Sequence, residues 1–154
     1  MCGTRCTDSH QPPGWCTMAP DRDGRADRIM IQFDTNAFLM ASQFRIDLFG
    51  ELRELIGSYE PVVLLDVLQE LRGIARGAGK HAAAARFGLA LSEQCRIVES
   101  GDDSGSVDER IARFAEYHGG MVVTNDRDLR EFLLSKNIPV ISLKNKKKLD
   151  IFRS

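Results

Sequence analysis

No apolar run in this chain of 154 residues approaches the roughly 20 residues that a membrane-spanning helix needs. The first residues mix Cys, Pro, Asp and Arg with no apolar stretch, so a secretory signal is not expected. Cysteine is sparse: Cys2, Cys6 and Cys16 stand near His10, and Cys95 stands alone. The early spacing matches no compact C-x2-C pattern and has almost no apolar support, which argues against a zinc site there. Cys95 closes an Ala-rich stretch and reads as a small core residue. Without a disulfide framework, a reducing, cytoplasmic setting is the expectation. Histidine is scarce as well, and neither His81 nor His118 lies beside the acidic motifs below, so imidazole catalysis is not expected.

What is present suffices for one domain with a real core, since 43% of the residues are hydrophobic. Residues 1–28 are rich in Pro, Gly and Asp, lack periodicity, and read as a disordered extension. The first ordered element begins near Met30, so Met30 or Met18 is a candidate natural start. A net charge of −1 hides an asymmetry. Lys144, Lys146, Lys147, Lys148 and Arg153 face only Asp150 near the end, while the body is net acidic. The expected organisation is a domain over 29–145 and a basic tail over 146–154. That tail is either a polyanion-binding edge or a solvated, frayed terminus.

The body alternates between strand and helix patterns. Strands are expected at 29–34, 61–65, 96–99, 121–124 and 139–143. Helices are expected at 36–40, 47–56, 66–76, 80–95, 106–118 and 127–136. Ser106 and Glu109 form a capping-box pair. Strands alternating with helices imply parallel pairing, hence a three-layer α/β/α sandwich around a mostly parallel sheet.

Four acids stand where strand patterns give way to helix patterns or where helices start: Asp34, Glu70, Asp108 and Asp126. Taken singly, each has an ordinary explanation. Asp34 and Asp126 suit helix N-caps, Asp108 suits a helix first turn, and Glu70 suits a solvated face near Arg72 or Arg76. Taken together, they can meet at the carboxyl edge of a parallel sheet, where ligands bind. Two carboxylates about 4 Å apart repel by roughly 1 kcal/mol in water and about 4 kcal/mol at an effective dielectric near 20. Such a cluster raises its pKa values or binds a divalent ion. Oxygen-only donors favour Mg²⁺ or Mn²⁺ over zinc, and such ions suit phosphodiester chemistry. A receiver-like phosphoacceptor domain is disfavoured, because its paired acids and late lysine are not in place.

The run Asp34-Thr35-Asn36, the Gln69-Glu70-Leu71 helix, Asp108 at a helix start, and Val123-Thr124-Asn125-Asp126-Arg127-Asp128-Leu129 together resemble the PIN domain over about residues 30–145. The resemblance implies an Mg²⁺- or Mn²⁺-dependent ribonuclease with Asp34, Glu70, Asp108 and Asp126 as acidic ligands. It makes Asn36 and Thr124 polar support, and Asp128 either an accessory to the ligands or a surface residue before Arg130. Hydrolysis by a metal-activated water would leave a 5′-phosphate and a 3′-hydroxyl, with Lys144 and Lys146–Lys148 holding the RNA backbone. The segments after Asp34 and around Ile138-Pro139-Val140-Ile141 look like stand-alone archaeal PIN proteins similar to rRNA-processing endonucleases, whose partners would be ribosome-assembly factors. The alternatives are a VapC-type toxin ribonuclease acting under an antitoxin, and a non-catalytic RNA-binding module. Homodimers are a further expectation, with Phe38, Leu39, Met40 and Phe44 serving either as its surface or as core.

Overall fold

The computed structural model describes residues 28–99, 104–145 and 148–153. The expected extension over 1–28 therefore lies almost wholly outside the described residues, as do Lys146 and Lys147. The elements run β1 (Ile29–Phe33), α1 (Thr35–Gln43), α2 (Leu48–Ile56), β2 (Tyr59–Leu64), α3 (Leu65–Ala75), α4 (Gly79–Ser92), β3 (Arg96–Val98), α5 (Val107–His118), β4 (Met121–Val123), α6 (Arg127–Ser135), β5 (Val140–Lys144) and β6 (Lys148–Phe152). No described helix is long and apolar enough to cross a membrane.

The six strands form one sheet in the order β3-β2-β1-β4-β5-β6. All neighbours are parallel except β5 and β6. This is the expected α/β/α sandwich. Helices α1, α3 and α4 pack on one another, while α5 lies on β1 and β4 and α6 on β5. The strands buried on both faces read as continuous apolar runs, as parallel strands do: Ile31, Phe33, Val62, Val63, Val122, Val123, Val140 and Ile141 are inaccessible. Phe33 stacks on Phe38 at 5.5 Å and meets Phe49 at 5.3 Å between ring centroids, which fixes α1 and α2 against β1. Phe38, Leu39 and Met40 are thus core, and partly buried Phe44 packs against the core.

Two glycines permit close approach. A Cβ at Gly88 of α4 would meet Phe38 Cβ at 2.7 Å, so α1 and α4 touch there. Gly120 has φ +94°, and a Cβ there would fall 2.1 Å from the Met30 carbonyl oxygen, so only glycine lets β4 enter beside β1.

The basic end differs from the tail expected over 146–154. Lys148–Phe152 is a strand that pairs antiparallel with β5, matching Lys144 to Lys148 and Val140 to Phe152. Leu149 is buried and Ile151 packs on the core. Arg130 of α6 lies over the Phe152 ring at 5.0 Å. Leu149 and Ile151, two apart on one face, with Phe152 under Arg130, carry this strand through a run whose lysines suggest solvent. A frayed terminus would make Leu149→Ala silent. Its burial leads us instead to expect a loss of about 2–5 kcal/mol, read as a lower urea midpoint.

Candidate active site

Strand order reverses at β1, with β2 and β3 to one side and β4, β5 and β6 to the other. Crevices form beyond the carboxyl ends of strands at such a switch point. Asp34 follows β1 and Thr124–Asp126 follow β4, so both motifs arrive there because of topology. The Asp34 N–H extends the pairing by donating to the Val123 carbonyl at 3.2 Å.

Asp34 occupies the N-cap position of α1, yet its side chain makes no capping hydrogen bond. It is 4% exposed, and its Oδ2 accepts a 2.6 Å hydrogen bond from Thr124 Oγ1. Burial raises its pKa from 3.8 to about 6, against the opposing pull of Thr124 and the Thr35 and Asn36 N–H groups, with the Asp108 charge adding to the rise. Asp108 stands on the exposed rim in the first turn of α5. Its pKa is raised by partial desolvation and then by negative Asp126, Glu70 and Glu109. Glu70 in α3 accepts a short hydrogen bond from Thr35 Oγ1. Asp126 does cap its helix, accepting from the Asp128 N–H at 2.9 Å, while its own N–H donates to Thr124 Oγ1 at 3.1 Å.

Asp34, Glu70 and Asp126 therefore each lie within electrostatic reach of Asp108. As arranged, no group of three or more His, Cys, Asp or Glu among the described residues is set to hold a metal ion. The donors nonetheless fit a hard divalent cation in kind, since they are carboxylates only. They fit in charge too, since Asp108 is held above its ordinary range partly by its acidic neighbours.

The supporting residues divide. Thr124 is fully buried and holds both Asp34 and the turn before Asp126. Asn36 is half-buried in the first turn of α1, and Asp128 is exposed, its N–H serving the Asp126 cap. Lys144 ends β5 at the same carboxyl edge, because Val123 pairs with Ile141, and it faces Asp150 at 3.6 Å. Thr35 and Ser142 were not singled out from the sequence. Ser142 is fully buried, and its Oγ donates to the Thr124 carbonyl at 2.7 Å. Hydroxyl residues inside apolar strands were the signal available for Ser142; for Thr35 it was the place beside Asp34.

The PIN-like domain family matches residues 31–146. The chain is 31% identical over 134 residues to Ribonuclease VapC9 of Archaeoglobus fulgidus, covering 86% of this chain and 96% of that protein. It is 30% identical over 124 residues to Ribonuclease VapC4 of Methanocaldococcus jannaschii, covering 77% and 93% respectively. The solved PIN domain endonuclease Utp24 superposes with a TM-score of 0.67 at 24% identity, over 81% of this chain and 92% of that one.

A buried acid with a raised pKa destabilises the fold as pH rises through the interval between its unfolded and folded values. For Asp34 the cost grows from about pH 4 to about pH 6 and is complete above that. Its size is at most about 3 kcal/mol, from 1.36 kcal/mol per pKa unit. Asp34→Asn keeps an acceptor for Thr124 and should melt at a higher temperature than the parent at pH 7.5 in EDTA. The difference should close toward pH 4; thermal melts across that range check it.

Proposed function

Because the chain belongs to the PIN-like domain family, we propose that it is a divalent-cation-dependent endoribonuclease that hydrolyses RNA phosphodiester bonds. The observation that carries this reading is the desolvated Asp34 carboxyl at the β1/β4 switch point, coupled to Asp108, which is coupled in turn to Glu70 and Asp126. Ordinary helix capping does not explain a buried N-cap acid whose one side-chain hydrogen bond comes from Thr124 on the neighbouring strand's exit and not from its own helix. The names of the two VapC relatives support RNA as the substrate.

Asp34, Glu70, Asp108 and Asp126 would hold Mg²⁺ or Mn²⁺. When bound, such a cation acts as a Lewis acid on a phosphate and makes water a competent nucleophile near neutral pH. Thr124 orients Asp34 and the entry to Asp126 through one hydroxyl, and Thr35 orients Glu70. Asn36 and Asp128 support the rim. Lys144 on β5 and Lys148 on β6 pair in register, about 10 Å and about 14 Å from β1 by strand spacing. With Lys146 and Lys147 they would grip the RNA backbone without reading bases.

The VapC relatives favour a VapC-type toxin, with an antitoxin as partner, over the rRNA-processing role put first from the sequence. The Utp24 likeness bears on the fold alone.

Purified protein should cut single-stranded RNA with Mn²⁺ and stop in EDTA. Asp34→Asn and Asp126→Asn should each lose cleavage by about a thousandfold, the scale of several kcal/mol of lost charge stabilisation. Retained Mn²⁺-dependent cleavage in both would remove the catalytic assignment. Replacing Lys146–Lys148 with Ala should weaken RNA binding and reduce the salt slope by about 2, at roughly 0.7 per single-strand phosphate contact. An unchanged slope would take the lysines out of the RNA site.

A further inference from the structure

Gln32 is the single polar residue of β1, and it is 2% exposed. In register it sits between Val62 of β2 and Val122 of β4. Its Nε2 donates to the Ile111 carbonyl oxygen of α5 at 3.2 Å. Its Oε1 has no hydrogen-bond partner among the described residues. A buried amide oxygen left unmet disfavours the folded state. An unbranched apolar side chain of similar length would fill the same space without that penalty. Packing therefore does not account for an amide here.

Its position does. Gln32 lies two residues before Asp34, on the same face of the strand by the two-residue alternation. Ile111 lies one turn beyond Asp108 on α5, where residues three apart are neighbours. One directional bond thus joins the strand that carries Asp34 to the helix that carries Asp108. Apart from the largely buried Arg110–Asp66 ion pair at 3.0 Å, which ties α5 to α3 and not to β1, the packed face of α5 is apolar: Ile111, Ala112, Phe114 and Ala115. Apolar contact is non-directional and tolerates sliding; a hydrogen bond to one carbonyl does not.

We propose that Gln32 is a positioning residue whose amide sets the height of α5 on β1 and so aims Asp108 at the acid cluster. For Asp108 it does at one remove what Thr35 does for Glu70 and Thr124 for Asp34. Its consequence for RNA cleavage rests on the nuclease reading; its consequence for cation binding does not.

The test uses the full chain with Gln32→Met and Gln32→Leu, each alone and in an Asp108→Asn background. Four quantities are read: Mn²⁺ affinity by electron paramagnetic resonance of the free ion, hydrogen exchange of amides 108–112, the melting temperature in EDTA, and RNA cleavage. Both variants should melt at or above the parent temperature and exchange the α5 amides faster. Mn²⁺ binding should weaken about 10-fold or more, the usual scale for losing a group that orients a ligand. The kcat should fall by a similar factor with KM unchanged, and the Mn²⁺ effect should vanish in the Asp108→Asn background. Parent-like Mn²⁺ affinity overturns the proposal. So does an equal loss in the Asp108→Asn background, because Gln32 would then act elsewhere. Failure of both variants to fold also overturns it, since the amide would then serve the core. Parent protein that binds Mn²⁺ but cuts no RNA would sink the nuclease reading while leaving the Gln32 comparison intact.

Discussion

The hydrogen bond from Thr124 to Asp34 joins residues 90 apart in the chain, across the parallel β1/β4 boundary where the strand order reverses. A carboxylate removed from water needs either strong donors or a cation. Asp34 receives one short bond from a fully buried hydroxyl and the favour of two backbone N–H groups. These do not offset its burial, so its affinity for a proton remains high. The unsatisfied demand for positive charge at this point is what the surrounding acids would share with a divalent ion.

Thr124 is well placed to serve that demand. Its hydroxyl donates to Asp34 and accepts from the Asp126 N–H, and its carbonyl accepts from Ser142, which in turn accepts from Arg130. Arg130 lies over Phe152. A continuous set of contacts therefore runs from the buried acid to β6. The basic strands and the acids share one edge because β1, β4 and β5 are parallel neighbours, which brings the end of β5 level with Asp34 and Asp126. An edge that is acidic at the switch point and basic two strands away suits a polyanion that must be held beside a cation.

Much of the fold was legible in the residues. Helix periodicity, the Ser106 cap with Glu109, and the apolar runs of β1, β2 and β4 placed those elements to within a few residues, because each depends on local spacing. The β6 strand was not legible: its lysines read as solvated terminus, and its pairing with β5 is decided by partners in register. The acids show the same division. Their types and order were visible, but a sequence does not distinguish an Asp that caps a helix from one that does not. Asp126 does cap α6, while Asp34, in the same kind of position, does not.

By itself the sequence determined which chemistry was available: carboxylates without histidine or thiol beside them, on a chain patterned for parallel strands. Those properties reside in side-chain identity and short-range periodicity. Only the tertiary structure decided that Asp34 is buried, that Thr124 holds it, and that Thr35 holds Glu70. It alone revealed that Gln32 ties α5 to β1 and that the basic end returns as a strand at the same edge. Each of those depends on contacts between distant segments, whose energies come from burial and register that no local pattern encodes.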